Sequence, residues 1–232
     1  MALFAIADTH LSLNTNKSMH VFSGWDDYVQ RLEQHWREII TDEDTVVIAG
    51  DISWGMNLKQ AQKDFAFLNS LPGKKLIFKG NHDYWWTTRR QMDLFFAENG
   101  FDTLQIVHND AVAVDGKYAV CGTRGWFFDA EEDADKLVLL REAGRLRTSI
   151  RAAKEIGLKP VVFLHYPPRY ADQTCDEILA VLQEEGISHC YYGHVHGNGI
   201  RLAVQGAIDN IDYRLISADA LHFCPILINI DD

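Results

Sequence analysis

Two kinds of apolar spacing alternate along this chain. Continuous runs, Leu3 to Ala7, Val46 to Ala49, Leu76 to Phe78, Val161 to Leu164 and Cys190 to Tyr192, show no polar alternation, the pattern of strands buried on both faces. Between the first three lie stretches with a helical period. Tyr28, Leu32, Trp36, Ile39 and Ile40 predict a helix over 26–40, and Leu58, Ala61, Phe65, Leu68 and Leu71 predict a second, stopped by Pro72-Gly73. A third helix is predicted around 90–98. Three strand-helix units in succession predict a parallel sheet with right-handed crossovers.

After residue 103 the rhythm changes. Runs at 104–108, 111–114 and 118–122, joined by Asn109-Asp110 and Asp115-Gly116, predict antiparallel strands. Residues 123–129 predict an exposed loop carrying Arg124, Trp126, Phe127 and Phe128. Leu137, Leu140, Leu146, Ile150, Ala153 and Ile156 outline a long helix over 133–156. A strand at 160–164 ends on His165, and Tyr166-Pro167-Pro168 bars a helix directly after it. A helix over 175–185, a strand over 189–192 and a glycine-punctuated loop over 193–199 follow. The tail predicts β-hairpins from strands at 201–204, 213–217 and 225–228. With no repeat or linker in its 232 residues, the chain is expected to form one α/β domain over 1–232.

Composition narrows the partners. Lys plus Arg total 22 against 33 Asp plus Glu, a formal net charge of -11, which disfavours a nucleic-acid grip or an anionic membrane surface. Cys121, Cys175, Cys190 and Cys224 are widely spaced and are expected to be reduced. No apolar run reaches the roughly 18–20 residues of a membrane span. The first strand leads straight into Asp8, so a cleaved leader would remove a residue the chemistry needs; a cytoplasmic location is the expectation. The oligomeric state is left open by the sequence.

The chemistry sits where the apolar runs stop. Asp8-Thr9-His10, Gly50-Asp51, Gly80-Asn81-His82-Asp83, His165 and Gly193-His194-Val195-His196 each follow one of them, at the carboxyl ends of strands, where open α/β sheets place their sites. Asp, Asn and His without thiolate offer donors suited to Mn, Fe or Zn. Asp8, His10, Asp51, Asn81, His165, His194 and His196 can fill two metal positions if one carboxylate bridges, the clamp used for in-line displacement at phosphorus. A single-ion facial triad would need only two histidines and one carboxylate, leaving the rest without a role. Trp54, Trp85, Trp86 and Trp126 are near these loops and can stack an aryl or base moiety or simply pack the loops. Arg89, Arg90 and Arg124 can contact a phosphate or lie on the surface.

The order Asp-x-His, Gly-Asp, Gly-Asn-His-Asp, His, Gly-His-x-His, spanning Asp8 to His196, resembles the calcineurin-like metallophosphoesterase superfamily. The resemblance implies a sandwich of two mixed β-sheets flanked by helices, with two divalent or trivalent ions at the carboxyl ends of the strands. It implies that Asp8, His10 and His196 hold one ion, that Asn81, His165 and His194 hold the other, and that Asp51 bridges them. It further implies hydrolysis of small phosphomonoesters or phosphodiesters by a bridging hydroxide, with His82 assisting the leaving oxygen and Asp83 fixing the tautomer of His82. Trp54, Trp85, Arg89 and Arg124 are the candidate substrate contacts. The Ser/Thr protein phosphatases of the superfamily carry an Arg in the Gly-Asp loop; here that loop reads Asp51-Ile52-Ser53-Trp54-Gly55, which makes a protein phosphatase the weaker alternative. A non-catalytic scaffold of the same fold is the other, although it would have no need of a complete ligand set beside His82.

Overall fold

The continuous apolar runs become buried parallel strands. In the computed structural model, which describes residues 1–17, 19–126 and 133–230, β1 (Leu3–Ile6), β2 (Thr45–Ala49) and β3 (Lys74–Phe78) run side by side, with Phe4 opposite Val46 and Val46 opposite Lys75. Helices α1 (Tyr28–Ile39), α2 (Leu58–Ser70) and α3 (Arg89–Glu98) make the crossovers. Side chains of Asn57 and Thr88 cap α2 and α3 by accepting the Gln60 and Gln91 amides. Next come β4 (Leu104–Ile106), β5 (Val112–Val114), β6 (Tyr118–Thr123), α4 (Asp133–Ile156) and β7 (Lys159–Leu164). The chain continues through the short ribbon β8 (Arg169–Tyr170) and β9 (Gln173–Thr174), α5 (Asp176–Glu184) and β10 (His189–Tyr192). A 3-10 turn at Gly197–Leu202 precedes β11 (Gly206–Ile208), β12 (Ile211–Leu215) and β13 (Ile226–Leu227).

These strands form two mixed sheets, in the orders β13-β1-β2-β3-β4 and β11-β12-β10-β7-β6-β5. The two-residue period of a strand explains the layering. In β1, Phe4 and Ile6 face the helices α1 to α3, while Leu3 and Ala5, and Ala7 just beyond the strand, face the other sheet. The inter-sheet layer adds Val47, Phe78, Val161, Phe163 and Tyr191, with the rings of Phe163 and Tyr191 stacked at 5.2 Å. Removing the fully buried Phe163 ring would cost about 3–5 kcal/mol. On the far side, α4 and α5 cover the second sheet through Leu146, Ile150, Ile178 and Leu182. The result is a helix-sheet-sheet-helix sandwich in which both sheets end at the same edge. All four cysteines are free thiols. No helix among the described residues is long and apolar enough to cross a membrane.

Several expectations need correction. The run at 104–108 does not join an antiparallel set: β4 lies parallel to β3, on the edge of the first sheet. Only β5 and β6 make the predicted hairpin. In the tail, 201–204 is not a strand, because the chain is still completing the 3-10 turn; β11 pairs instead with β12. β13 forms no hairpin and lies antiparallel to β1. On α4 the buried stripe is Leu139, Ala143, Leu146, Ile150 and Ala153, whereas Leu137 and Leu140 point outward at 57% and 58% exposure. Phe127 and Phe128 of the predicted exposed loop, and Ser18, lie outside the described residues.

Candidate metal centre and its supporting loops

Five loops converge where the two sheets end. The amides of Asp8 and His10 donate to the carbonyls of Gly50 and Asp51, both at 2.9 Å, which laces the loop after β1 to the loop after β2. Within the second sheet the Gly193 amide donates to the His165 carbonyl at 3.1 Å, and across the sandwich the His194 amide donates to Asp8 Oδ2 at 2.8 Å. Two glycines permit this closeness. A Cβ on Gly80 would collide with the Asp51 carboxylate and amide, and one on Gly193 would lie 2.5 Å from Asp8 Oδ2. Asp8, His10, Asp51 and His194 take left-handed backbone angles, with φ of 60°, 44°, 52° and 70°. Such a conformation is uncommon for side-chain-bearing residues and costs each about 1 kcal/mol.

The side chains fall into two groups. Asp8, His10 and His196 form one and Asp51, His165 and His194 the other, each presenting ligand atoms within 4.8 Å of one another. Asn81 Oδ1 belongs with the second group, 2.6 Å from His165 Nε2 and 3.0 Å from His194 Nδ1. Asp51 reaches both groups: its Oδ1 lies 3.5 Å from His165 Nε2 and its Oδ2 lies 3.7 Å from His10 Nε2. The structure thus brings all seven sequence-predicted ligands together. In the first group, His10 Nε2 and His196 Nε2 face one another at 3.3 Å. Asp8 Oδ1 is buried and accepts no hydrogen bond of ordinary geometry. A buried carboxylate oxygen without a donor is costly, and a cation among these nitrogens would satisfy it. The donor set and this orphaned oxygen both fit metal ions.

Electrostatics agrees. Burial would raise Asp8, but His196, His165 and His10 outweigh it and hold the carboxyl well below its usual range. Burial and the neighbouring Asp83 and Asp8 push Asp51 well above it. Burial alone would lower His196, yet Asp8 and Asp219 outweigh it and raise it to about 10. His165 and His194 are lowered by burial to about 3 and about 4. The site therefore concentrates negative charge at Asp8, leaves Asp51 favouring its protonated form until a cation replaces the proton, and keeps most of its histidines neutral, the form in which they ligate metals.

His82 stands beside these groups, half-buried, its amide donating to Asp51 Oδ1 at 2.7 Å and its ring tilted against Trp54 at 4.5 Å. Asp83 is placed differently from the sequence expectation. Its carboxylate makes no hydrogen bond to the His82 ring; it accepts the amides of Gly80 at 2.7 Å, Ile52 at 2.8 Å and Asp51 at 2.9 Å, and the Trp85 indole at 2.9 Å. The ring partner of His82 is instead the Tyr84 hydroxyl, at 3.4 Å from Nδ1. In a tight loop successive side chains diverge, and Asp83 turns inward to tie the Gly-Asp loop to the Gly-Asn-His loop.

Of the candidate substrate contacts, only Trp54 stands at the site, stacked on His10 at 5.0 Å. Trp85 is 2% exposed and packs edge-on against Phe65 behind α2, so it offers no face to a ligand. Arg89 is paired with Asp93 and Asp110, at 2.8 and 3.0 Å, on the α3 surface. Arg124 turns toward Glu142 at 3.8 Å and over the Trp126 ring.

Two functional candidates escape the sequence reading. Asp219, in the loop after β12, accepts a hydrogen bond at 2.9 Å from His196 Nδ1 and another at 2.9 Å from the Gly197 amide, fixing the tautomer that turns Nε2 toward Asp8. An aspartate between two alanines carries no local signal of this. Lys17 holds its ammonium 3.9 Å over the Trp54 ring, close enough to His82 to join burial in lowering the latter's pKa. Its one signal is that it is the lone cation of the polar segment after His10.

The family model described as calcineurin-like phosphoesterase matches residues 1–198. An uncharacterised protein of Methanocaldococcus jannaschii, MJ1445, is 27% identical over 162 residues, covering 68% of this chain and 85% of the relative. Among solved structures, TT1561 of Thermus thermophilus superposes with a TM-score of 0.56 at 13% identity over 84% of this chain and 81% of its own. A phosphopantetheinyl hydrolase from Mycobacterium tuberculosis superposes with a TM-score of 0.53 at 13% identity over 99% and 96%. These two likenesses establish the shared sandwich.

Proposed function

Because this chain belongs to the calcineurin-like phosphoesterase family, a family of metal-dependent phosphoesterases, we propose that it is a two-ion hydrolase of small phosphomonoesters or phosphodiesters. The observation that carries the reading is Asp51, whose two carboxylate oxygens approach one ligand group each. Asp8, His10 and His196 would hold one ion and Asn81, His165 and His194 the other, with Asp51 shared. Mn, Fe and Zn all suit this donor set. When bound, such ions neutralise phosphoryl charge and make water a nucleophile at neutral pH.

The chain's own residues do the rest. Asp219 orients His196, and the Ala49 carbonyl, 3.2 Å from His165 Nδ1, leaves Nε2 of that ring facing Asn81. Burial and Lys17 keep the His82 pKa below its usual value, so its neutral ring offers one N–H to the leaving oxygen. Lys17, from the segment after β1, supplies positive charge against Trp54 of the Gly-Asp loop, in which no arginine follows Asp51.

The test is hydrolysis of bis(p-nitrophenyl) phosphate and p-nitrophenyl phosphate by ion-stripped protein resupplied with Mn, with metal content measured in parallel. Release that requires both Mn and His82 is expected, and the preferred ester separates diesterase from monoesterase. Full metal occupancy with no release across a broad phosphoester panel would replace this reading with a metal-binding scaffold.

A further inference from the structure

A cavity of about 640 Å³ opens beside the first ligand group, a volume typical of small-molecule sites. His10, His82 and His196 form its floor, and Met19, Phe22, Trp25 and Trp54 its apolar walls, with Ser23 and Asn198 at the edge. Apart from those floor histidines, no acidic or basic side chain among the described residues lines it. The walls are anchored. Trp25 is 2% exposed, its ring held edge-on by Tyr28 at 5.2 Å, Phe223 at 5.0 Å and His196 at 5.7 Å. The Trp54 indole N–H points to the Met19 sulfur at 3.3 Å, tying the loop after β1 to the Gly-Asp loop. Phe22, in contrast, is 54% exposed at the mouth, an apolar ring left in water beside a concave apolar surface.

Resting on the hydrolase reading above, we propose that this cavity receives the leaving alcohol of the substrate, and that the alcohol is an uncharged organic group with an apolar body at least the size of a benzyl ring. Three observations converge on this. His82, which faces the leaving oxygen in that reading, is part of the floor, so what is attached to that oxygen extends into the cavity. Apart from the histidines the lining side chains carry no charge, and the Lys17 ammonium, held over the Trp54 ring, is not among them, so a charged leaving group would find no partner in direct contact to compensate its desolvation. Indole, phenyl and thioether surfaces, together with two neutral hydrogen-bonding side chains at the edge, match a neutral partner. A sugar phosphate would set hydroxyls against the indole, phenyl and thioether surfaces and leave them unmatched.

The test uses Mn-loaded protein and unreactive phosphonates, so that leaving-group reactivity does not enter. Calorimetric affinities are compared for methylphosphonate, 4-methylbenzylphosphonate, (2-naphthylmethyl)phosphonate and 4-carboxybenzylphosphonate. The naphthylmethyl compound should bind about ten- to a hundred-fold more tightly than methylphosphonate, and the carboxybenzyl compound should lose most of the gain of its methylbenzyl match. Phe22→Asp should collapse the naphthylmethyl-to-methyl ratio. Val21→Asp, which places the same charge on the neighbouring residue, 78% exposed and outside the lining, should preserve it. Equal affinities across the series, or collapse of the ratio in both variants, would overturn the proposal. Ordered binding with no hydrolysis of any ester would uphold the cavity assignment and sink the hydrolase reading; hydrolysis with flat affinities would do the reverse.

Discussion

Replacing Asp83 by Asn separates two accounts of this residue. If Asp83 served His82, Asp83→Asn would depress turnover and leave the fold intact. The structure argues otherwise. Oδ1 accepts from the Ile52 amide and the Trp85 indole, and Oδ2 from the Asp51 and Gly80 amides, all between 2.7 and 2.9 Å. Asparagine keeps one oxygen and turns an NH₂ toward the other pair, so two buried N–H groups lose their acceptor. At about 1–3 kcal/mol per unsatisfied group, the cost is about 2–6 kcal/mol, a large share of the roughly 5–15 kcal/mol that holds a domain folded. Urea unfolding of chelator-treated wild type and variant measures it without the contribution of bound ions. The freed loops carry Asp51 and Asn81, so metal content should fall in the same variant. Unfolding within about 1 kcal/mol of wild type, normal metal content and a turnover defect like that of His82→Ala would refute the reasoning.

Other outcomes follow from the same geometry. His82→Ala should cut turnover about 10²–10⁴-fold with metal content unchanged; loss of metal would contradict its place outside the ligand set. Asp219→Ala should weaken binding of one ion about 10–100-fold through His196 alone, and equal affinity for both ions in wild type and variant would show that the contact is idle. With Asp8 and Asp219 holding His196 at about 10 despite its burial, the ion-free ring is protonated at pH 8. Metal binding in weak buffer should therefore release at least one proton per chain, and no release would refute that state. Lys75, fully buried with its ammonium donating to the Leu71 carbonyl and to Thr103, is lowered by burial to about 8. Its folded value lies below the unfolded one, so at this residue the unfolded chain binds more protons between about pH 8 and 10.5 and its own contribution to stability rises across that window, against the fall from the four thiols whose pKa burial raises. Urea unfolding of wild type and Lys75→Met in parallel isolates it: the stability of wild type relative to the variant should rise by roughly 1–3 kcal/mol across the window, and an unchanged difference would refute the shift.

Much of this was legible because the informative residues act locally. An apolar run with no alternation has to be buried on both faces, and a polar triplet at its end has to leave the sheet at its rim; β1, β2, β3, β7 and β10 with their ligands follow from that. What stayed hidden depends on partners distant in sequence. Nothing within 104–106 specifies an edge beside β3, and nothing within 226–227 specifies β1, because edge choice is decided by which sheet has room. Leu137 and Leu139 are equally apolar, and only the docking angle of α4 sends one out and one in. Adjacency misled in the opposite direction at His82 and Asp83, which neighbour each other in the chain but serve different atoms. Asp219 needed the fold before it had a meaning.

The left-handed backbone at His10 and His194 sets stability and activity against each other at single positions. Glycine would relax either turn, and the same substitution would delete a ligand, so at these two places the comfort of the scaffold and its grip on ions call for different residues. Asp8 and Asp51, in the same conformation, also serve the fold, because their carboxylates accept the His194 and His82 amides. An engineer raising the melting temperature of the ion-free protein would be drawn to the two histidines, and would have to leave them alone.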